Sequence, residues 1–273
     1  MYYIFSDFGA SSAICQRTLI TIPIGGATVK TIQAIVATVC ITVIIAACTV
    51  VYSPLKIIAL TFDDGPTLGY TGKVLNILKE KGVKATFFVL GKNAVKYPNL
   101  VRREADEGHV IGNHSYSHRS FAEETDQQVF KEILGTQQIV QQLTGHSPLF
   151  VRNPHGIESA GAKKAIRALG LTGTVGWHWG KNVRDDDWRC NGVQDTLDFA
   201  KSATTPGAIL LAHDGNEVTQ CPNQLDWLSE YIDWARSHGY QFGLLRASDG
   251  PNKLNMNTWV DVVPVSKARY WNG

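Results

Sequence analysis

The sequence predicts a parallel α/β domain that begins near Lys56, and three observations predict it. Seven short apolar runs rich in strand-forming residues recur along the chain, helical stretches fall between them, and the leading segment differs from everything after it. Strands that alternate with helices build a parallel sheet whose two faces are both covered. About 220 residues suit one such domain, as an open doubly wound sheet or as a closed barrel. Spacing alone leaves the strand order open.

The runs, in order, are Ile57–Phe62, Ala85–Leu90, His109–Gly112, Leu149–Arg152, Leu171–Trp177, Ala208–Ala212 and Gln241–Leu245. Four helical stretches are legible between them. Lys73–Lys81 sets Val74, Ile77 and Leu78 on one face. Gln127–Leu143 repeats apolar side chains at Val129, Ile133, Val140 and Leu143, and Gly145 follows as a stop signal. Ala162–Leu169 and Gln224–Ser237 read in the same way. The tail after Arg246 opens with the turn-rich Ser248-Asp249-Gly250-Pro251-Asn252 and carries Trp259, Tyr270 and Trp271. Packing on the domain and contact with a ligand are both open to it.

Ahead of the domain, residues 31–55 carry no charge. About 20 apolar residues cross a bilayer as a helix, so residues 31–52 read as a transmembrane span or signal-anchor after a leader at 1–30. Arg17 and Lys30 precede the run, which favours a cytoplasmic N-terminus and an exported domain. Ile45-Ala46-Ala47-Cys48 offers a second reading, cleavage before Cys48 and a lipid on its sulfur. Cys190 and Cys221 are the two cysteines of the domain, and in an exported protein they could pair. The 26 basic and 24 acidic side chains nearly balance, which argues against a nucleic-acid partner.

In parallel α/β folds functional groups collect at the carboxyl ends of the strands. The first run ends in Asp63-Asp64 and the third leads into Asn113-His114-Ser115-Tyr116-Ser117-His118. The fourth ends in Arg152-Asn153-Pro154-His155-Gly156. The segment after the fifth carries Asp185-Asp186-Asp187-Trp188, and the sixth ends in Leu211-Ala212-His213-Asp214. These clusters predict a site on one rim. His114 and His118 are four apart, a spacing that on a helical turn aims both imidazoles to one side, as metal ligands require. Two histidines and one aspartate leave a position open on tetrahedral Zn²⁺, the pattern of a catalytic site. The second aspartate would then face a water acidified by the ion and could act as general base. His109, His146, His178 and His238 carry no such pattern and read as surface or capping residues.

Thr61–Gly65, His114–His118, Arg152–Gly156, Asp186–Trp188 and Leu211–His213 resemble, in order, the five motifs of the polysaccharide deacetylase family, also called the NodB homology or carbohydrate esterase family 4 domain. The resemblance covers residues 56–246 and implies a distorted (β/α) barrel of about seven parallel strands. It implies Asp63 as base, with Asp64, His114 and His118 holding Zn²⁺ or another divalent ion such as Co²⁺. By the same resemblance Arg152 positions Asp63, and His213 is the general acid, oriented by Asp187. Trp188 and Leu211 would wall the acetyl methyl group, and His155 would contact substrate. Two positions depart from the pattern: His155 stands where the family usually has Tyr, and Arg184 where it usually has Asp.

The activity so implied is removal of acetyl groups from an N-acetylglucosamine polymer, chitin or peptidoglycan. Two other readings use the same residues. One is an O-acetyl esterase acting on xylan or another glycan; the other is a membrane-anchored glycan-binding protein without activity.

Overall fold

The computed structural model describes residues 55–178, 187, 190, 192–215, 225–247 and 260–267. All of them belong to one compact unit, Leu55–Gly273. The apolar segment 31–52, Asp185, Asp186, Trp188, Arg184, Cys221 and the tail aromatics lie outside the described residues. No helix among the described residues is long and apolar enough to cross a membrane.

The chain runs β1 (Lys56–Asp63), α1 (Thr71–Glu80), β2 (Thr86–Val89), α2 (Gly91–Lys96), α3 (Pro98–Asp106) and β3 (Val110–Asn113). It continues through α4 (Asp126–Thr144), β4 (Phe150–Val151), a 3₁₀ turn (Pro154–Gly156), α5 (Ala160–Ala168) and β5 (Gly173–Thr174). Then come α6 (Val193–Ala203), β6 (Ile209–His213), α7 (Asp226–Ser237), β7 (Tyr240–Ala247) and β8 (Val260–Pro264). All seven predicted runs contain a strand.

The expected barrel is a curled sheet in the order β5-β4-β3-β2-β1-β7-β8, with β6 also paired to β1. One edge of β1 serves two partners. Lys56–Ala59 pair with β7, and Ala59–Asp63 pair with β6. The other edge meets β2, with Asp63 opposite Phe88. All these pairings are parallel, and β8 alone runs antiparallel, along β7. Part of the C-terminal tail is therefore a strand.

Local chemistry explains the elements that position the rim. Along β1 the alternation sends Ile58, Leu60 and Phe62 toward the helices, where Phe62 stacks on Phe87 at 5.2 Å. Ala59 packs on the other face with Phe88, Val110 and Ile209. Thr61 and Asp63 share that face by the same period. Helix α4 starts with a capping box, in which Thr125 accepts from Gln128 N and Gln128 accepts from Thr125 N. It stops at Gly145, whose φ of 79° suits a residue without Cβ.

Three helices escape the sequence pattern. Helix α2 is a single short GKNAVK turn with no stripe, α3 starts at Pro98, and α6 carries its apolar residues at Val193, Leu197, Phe199, Ala200 and Ala203. His109 is also a correction, since it lies in the core at 1% exposure and accepts from Ala85 N through Nδ1.

Burial, with Lys84 adding to it, lowers the His109 pKa from 6.5 to about 4. Between those values the unfolded chain takes up a proton that the folded chain refuses, so stability falls as pH drops through this window and is unaffected above it. Urea unfolding at pH 7.5 and 4.5 should show that His109→Gln removes about 2–3 kcal/mol of the acid-side loss. An unchanged difference between the two pH values would contradict this assignment.

Candidate active site

Asp63 and Asp64 leave the end of β1 side by side, each 3% exposed. Their side chains diverge because Asp64 takes a left-handed φ of 71°. The Asp64 carbonyl accepts from Asn93 Nδ2 at 2.7 Å, and the Asp63 carbonyl accepts from Asp214 N at 3.0 Å. Gly65 and Gly215 are both required by close approach. A Cβ on Gly65 would lie 2.2 Å from the Asp214 carboxylate, and one on Gly215 would lie 2.2 Å from the Asp64 carbonyl oxygen.

Asp63 pairs with Arg152, whose Nη1 donates to Asp63 Oδ1 at 2.7 Å and to Thr61 Oγ1 at 2.8 Å. Nε and Nη2 donate to the carbonyls of Val175 and Gly176 at 3.1 Å. The guanidinium lies 4.1 Å from the Phe88 ring centroid and 5.5 Å from that of Trp177. Arg152 is fully buried, and that burial lowers its pKa, against which the Asp63 charge and hydrogen bond act. Such a cation is tolerable only because its donors are satisfied and its charge is matched.

His114 and His118 face Asp64 from the segment after β3. His114 Nε2 lies 3.5 Å from Asp64 Oδ1 and 3.6 Å from Asp63 Oδ2, while His118 Nε2 lies 3.3 Å from Asp64 Oδ1. The segment is no helical turn, contrary to the expectation. Ser115 and His118 both have left-handed φ, 69° and 67°, and the fold between them brings the rings to 4.9 Å. His114 Nδ1 sits 2.7 Å from the Arg152 carbonyl, to which it can only donate, and this leaves Nε2 as the nitrogen that faces Asp64. Burial lowers the His118 pKa to about 4, with Asp64 opposing, which leaves that imidazole neutral at pH 7.

Asp64, His114 and His118 together offer three ligand atoms within 4.8 Å of one another. Two imidazole nitrogens and a carboxylate oxygen are a donor set for a first-row divalent ion. The residues fit a metal.

Across the rim, His213 ends β6 directly opposite Asp63. Asp187 grips it twice, Nδ1 at 2.6 Å and the backbone N–H at 2.7 Å. Burial opposes the imidazolium, but Asp187, with Asp64 and Asp63 beyond it, outweighs burial and raises the His213 pKa to about 10. The ring therefore carries a proton at neutral pH. Leu211 is half-buried one side-chain repeat earlier on β6. His155 is exposed, with a left-handed φ of 58°, and its ring lies 4.5 Å from that of His118. Trp188 lies outside the described residues. Every other predicted site residue reaches this rim.

Three further contributors received no role from the sequence: Asn93, and Thr61 and Asp214, which lie within the runs and clusters already named. Asp214 is fully buried and accepts from Thr71 Oγ1 at 2.6 Å. Burial raises its pKa to about 7, with Thr71 opposing and Asp64 and Asp63 adding to the rise. Only the period-two alternation of β1 hinted that Thr61 would stand with Asp63.

A rim of this kind, a triad able to hold a metal between a clamped carboxylate and a clamped imidazolium, fits a hydrolytic metalloenzyme. Residues 52–174 match the polysaccharide deacetylase family. Over 185 residues the chain is 36% identical to a peptidoglycan-N-acetylglucosamine deacetylase of Bacillus cereus, covering 68% of this chain and 65% of that protein. Over 191 residues it is 36% identical to the peptidoglycan-N-acetylmuramic acid deacetylase PdaA of Bacillus subtilis, covering 68% and 69%. The family 4 carbohydrate esterase from Streptomyces lividans, solved in complex with acetate, superposes with a TM-score of 0.64 at 29% identity, covering 77% of this chain and 98% of that one. The chain belongs to the polysaccharide deacetylase family, and it spans about two thirds of the length of the two Bacillus relatives.

Removing Arg152 would strand the Asp63 carboxylate in a buried place. Arg152→Met should lower the unfolding free energy by about 3–5 kcal/mol, measured by denaturant titration at pH 7. Adding Asp63→Asn to that variant should recover part of the loss. A single-variant loss below about 1 kcal/mol would contradict the pairing.

Proposed function

We propose that this chain is a divalent-metal-dependent hydrolase that removes N-acetyl groups from N-acetylglucosamine-containing polysaccharide, with peptidoglycan the favoured polymer. One observation carries the reading: a metal-binding triad, an Arg-held carboxylate and an Asp-held imidazolium share one rim. The names of the Bacillus relatives favour peptidoglycan over chitin.

Asp64, His114 and His118 would hold the ion. When bound, a Zn²⁺ or similar ion supplies Lewis acidity toward the acetyl carbonyl and lowers the pKa of water. Asp63 accepts the proton of the attacking water, and Arg152 keeps its carboxylate aimed at that water. A backbone N–H near His155 would hold the oxygen of the tetrahedral intermediate. His213 then donates its proton to the departing sugar nitrogen, because an amine leaves poorly as an anion. Asp187 holds that imidazolium in place, and Leu211 with Trp188 would enclose the acetyl methyl. His155, exposed beside His118, would meet the sugar.

The same reading sets the domain on the exported side of a membrane, tethered through residues 31–52. The uncharged run supports this, as does Cys190, which is disulfide-bonded. Structural disulfides persist in oxidising compartments. The four other cysteines lie outside the described residues.

Acetate release from peptidoglycan, acetylated chitin oligomers and acetylated xylan tests the reaction. Release from peptidoglycan that stops on chelation and returns with Zn²⁺ is expected. Release from xylan alone would move the assignment to an O-acetyl esterase, and no release from any of the three would end the enzymatic reading.

Amide and ester substrates separate the role of His213, since an aryl ester leaves as a stable phenolate without a proton. His213→Ala should cost N-acetyl hydrolysis about 10²-fold or more and aryl acetate hydrolysis far less. In the wild type amide hydrolysis should fall as pH rises through the His213 pKa, and Asp187→Asn should move that limb to lower pH. Equal losses on the two substrates would show that His213 is no proton donor.

A further inference from the structure

The turn that carries His114 and His118 is strained, and something must hold it. Ser115 and His118 both sit at left-handed φ with side chains attached, a conformation that L-residues other than glycine seldom adopt. After Ser115 the turn directs two successive N–H groups, those of Tyr116 and Ser117, to one side, a nest that fits an anion. Glu132 fills it from α4. Its Oε2 accepts from Tyr116 N at 3.0 Å and from Ser117 N at 2.8 Å, and its Oε1 accepts from Ser117 Oγ at 2.8 Å.

The carbonyls of the same turn are taken from the opposite side. Ser115 O and Tyr116 O accept from the first N–H groups of α2, those of Gly91 and Lys92, each at 3.0 Å. Within the turn, Asn113 Oδ1 accepts from Ser115 N at 2.9 Å and Ser115 Oγ accepts from His118 N at 3.0 Å. Asn113 is itself tied to α4, donating to the Ile133 carbonyl and to Gln137 Oε1, both at 2.9 Å. Lys92 Nζ also donates to the Ser117 carbonyl at 3.3 Å, so the frame holds one cation and one anion; Glu132 supplies the negative charge, 14 residues after His118 and on another element.

We propose that Glu132 is a positioning residue of the metal centre: by closing the N–H nest of residues 116–117 it holds His114 and His118 in ligating geometry and so sets the affinity for the ion. Partners behind first-shell ligands commonly govern metal affinity in this way. The proposal rests on the assignment of Asp64, His114 and His118 as ligands. Glutamine at 132 preserves the pattern without the charge, since its oxygen can accept from both N–H groups while its amide donates to Ser117 Oγ. Alanine preserves nothing.

Zn²⁺ titration of the full chain against a competing chelator tests this, with circular dichroism and thermal unfolding of the metal-free protein alongside. Glu132→Ala should weaken Zn²⁺ binding about 10–100-fold, and Glu132→Gln should restore it to within about threefold of wild type. Ser117→Ala, which removes one of the three contacts, should fall between wild type and Glu132→Ala. If Glu132→Ala does not fold, the Gln and Ser117 variants decide alone. Zn²⁺ affinity within twofold of wild type in a folded Glu132→Ala overturns the proposal, even where thermal stability drops. So does a Gln variant as weak as the Ala variant. A wild-type chain that binds no Zn²⁺ would instead sink the ligand assignment on which the proposal depends.

Discussion

Two adjacent carboxylates at the end of one buried strand are the constraint around which the rest of this molecule is arranged. Buried like charges repel and lose hydration, so each needs its own counter-charge. Asp63 has Arg152, a fully buried guanidinium with four hydrogen bonds that reaches it across the inside of the curled sheet. Asp64 turns the other way, toward two imidazoles that a cation would complete. The proposed division of labour rests on that divergence, Asp63 for proton transfer and Asp64 for a metal.

The backbone bears the cost of that arrangement. Among the described residues, non-glycine left-handed conformations occur at Asp64, Ser115, His118, His155 and Cys190. The first three belong to the triad or to the turn between its histidines, His155 packs on His118, and Cys190 follows Asp187 by three residues. Strain of this kind persists only where surrounding contacts over-determine it. Here the contacts are the Asp214 carboxylate under Gly65, the Asn93 amide on the Asp64 carbonyl, and the Glu132 carboxylate beneath residues 116–117.

Much of this was legible in the sequence because it follows from short periods. Strand runs, the long amphipathic α4 with its stop at Gly145, and polar clusters at strand ends are local signals. The short helix α2 was not legible, having neither stripe nor length, and neither was the way β1 shares one edge between β6 and β7. Pairing depends on which strands meet, which no window of sequence contains. The HxxxH spacing brought the two imidazoles together on paper for a wrong reason, since the rings converge through left-handed turns and not on a helical face. Glu132 was invisible for a related cause. Two of its three contacts in the turn are to backbone N–H groups of a distant segment, and backbone groups leave no residue-type signature.

Zinc-edge X-ray absorption on the metal-loaded protein, paired with anomalous diffraction to locate the ion, tests the central claim most directly. The account predicts one ion bound by two imidazole nitrogens and one carboxylate oxygen at about 2.0–2.2 Å, from His114, His118 and Asp64, with Asp63 still on Arg152. An ion held by Asp63 in place of Asp64, or one bound away from the two histidines, would contradict it.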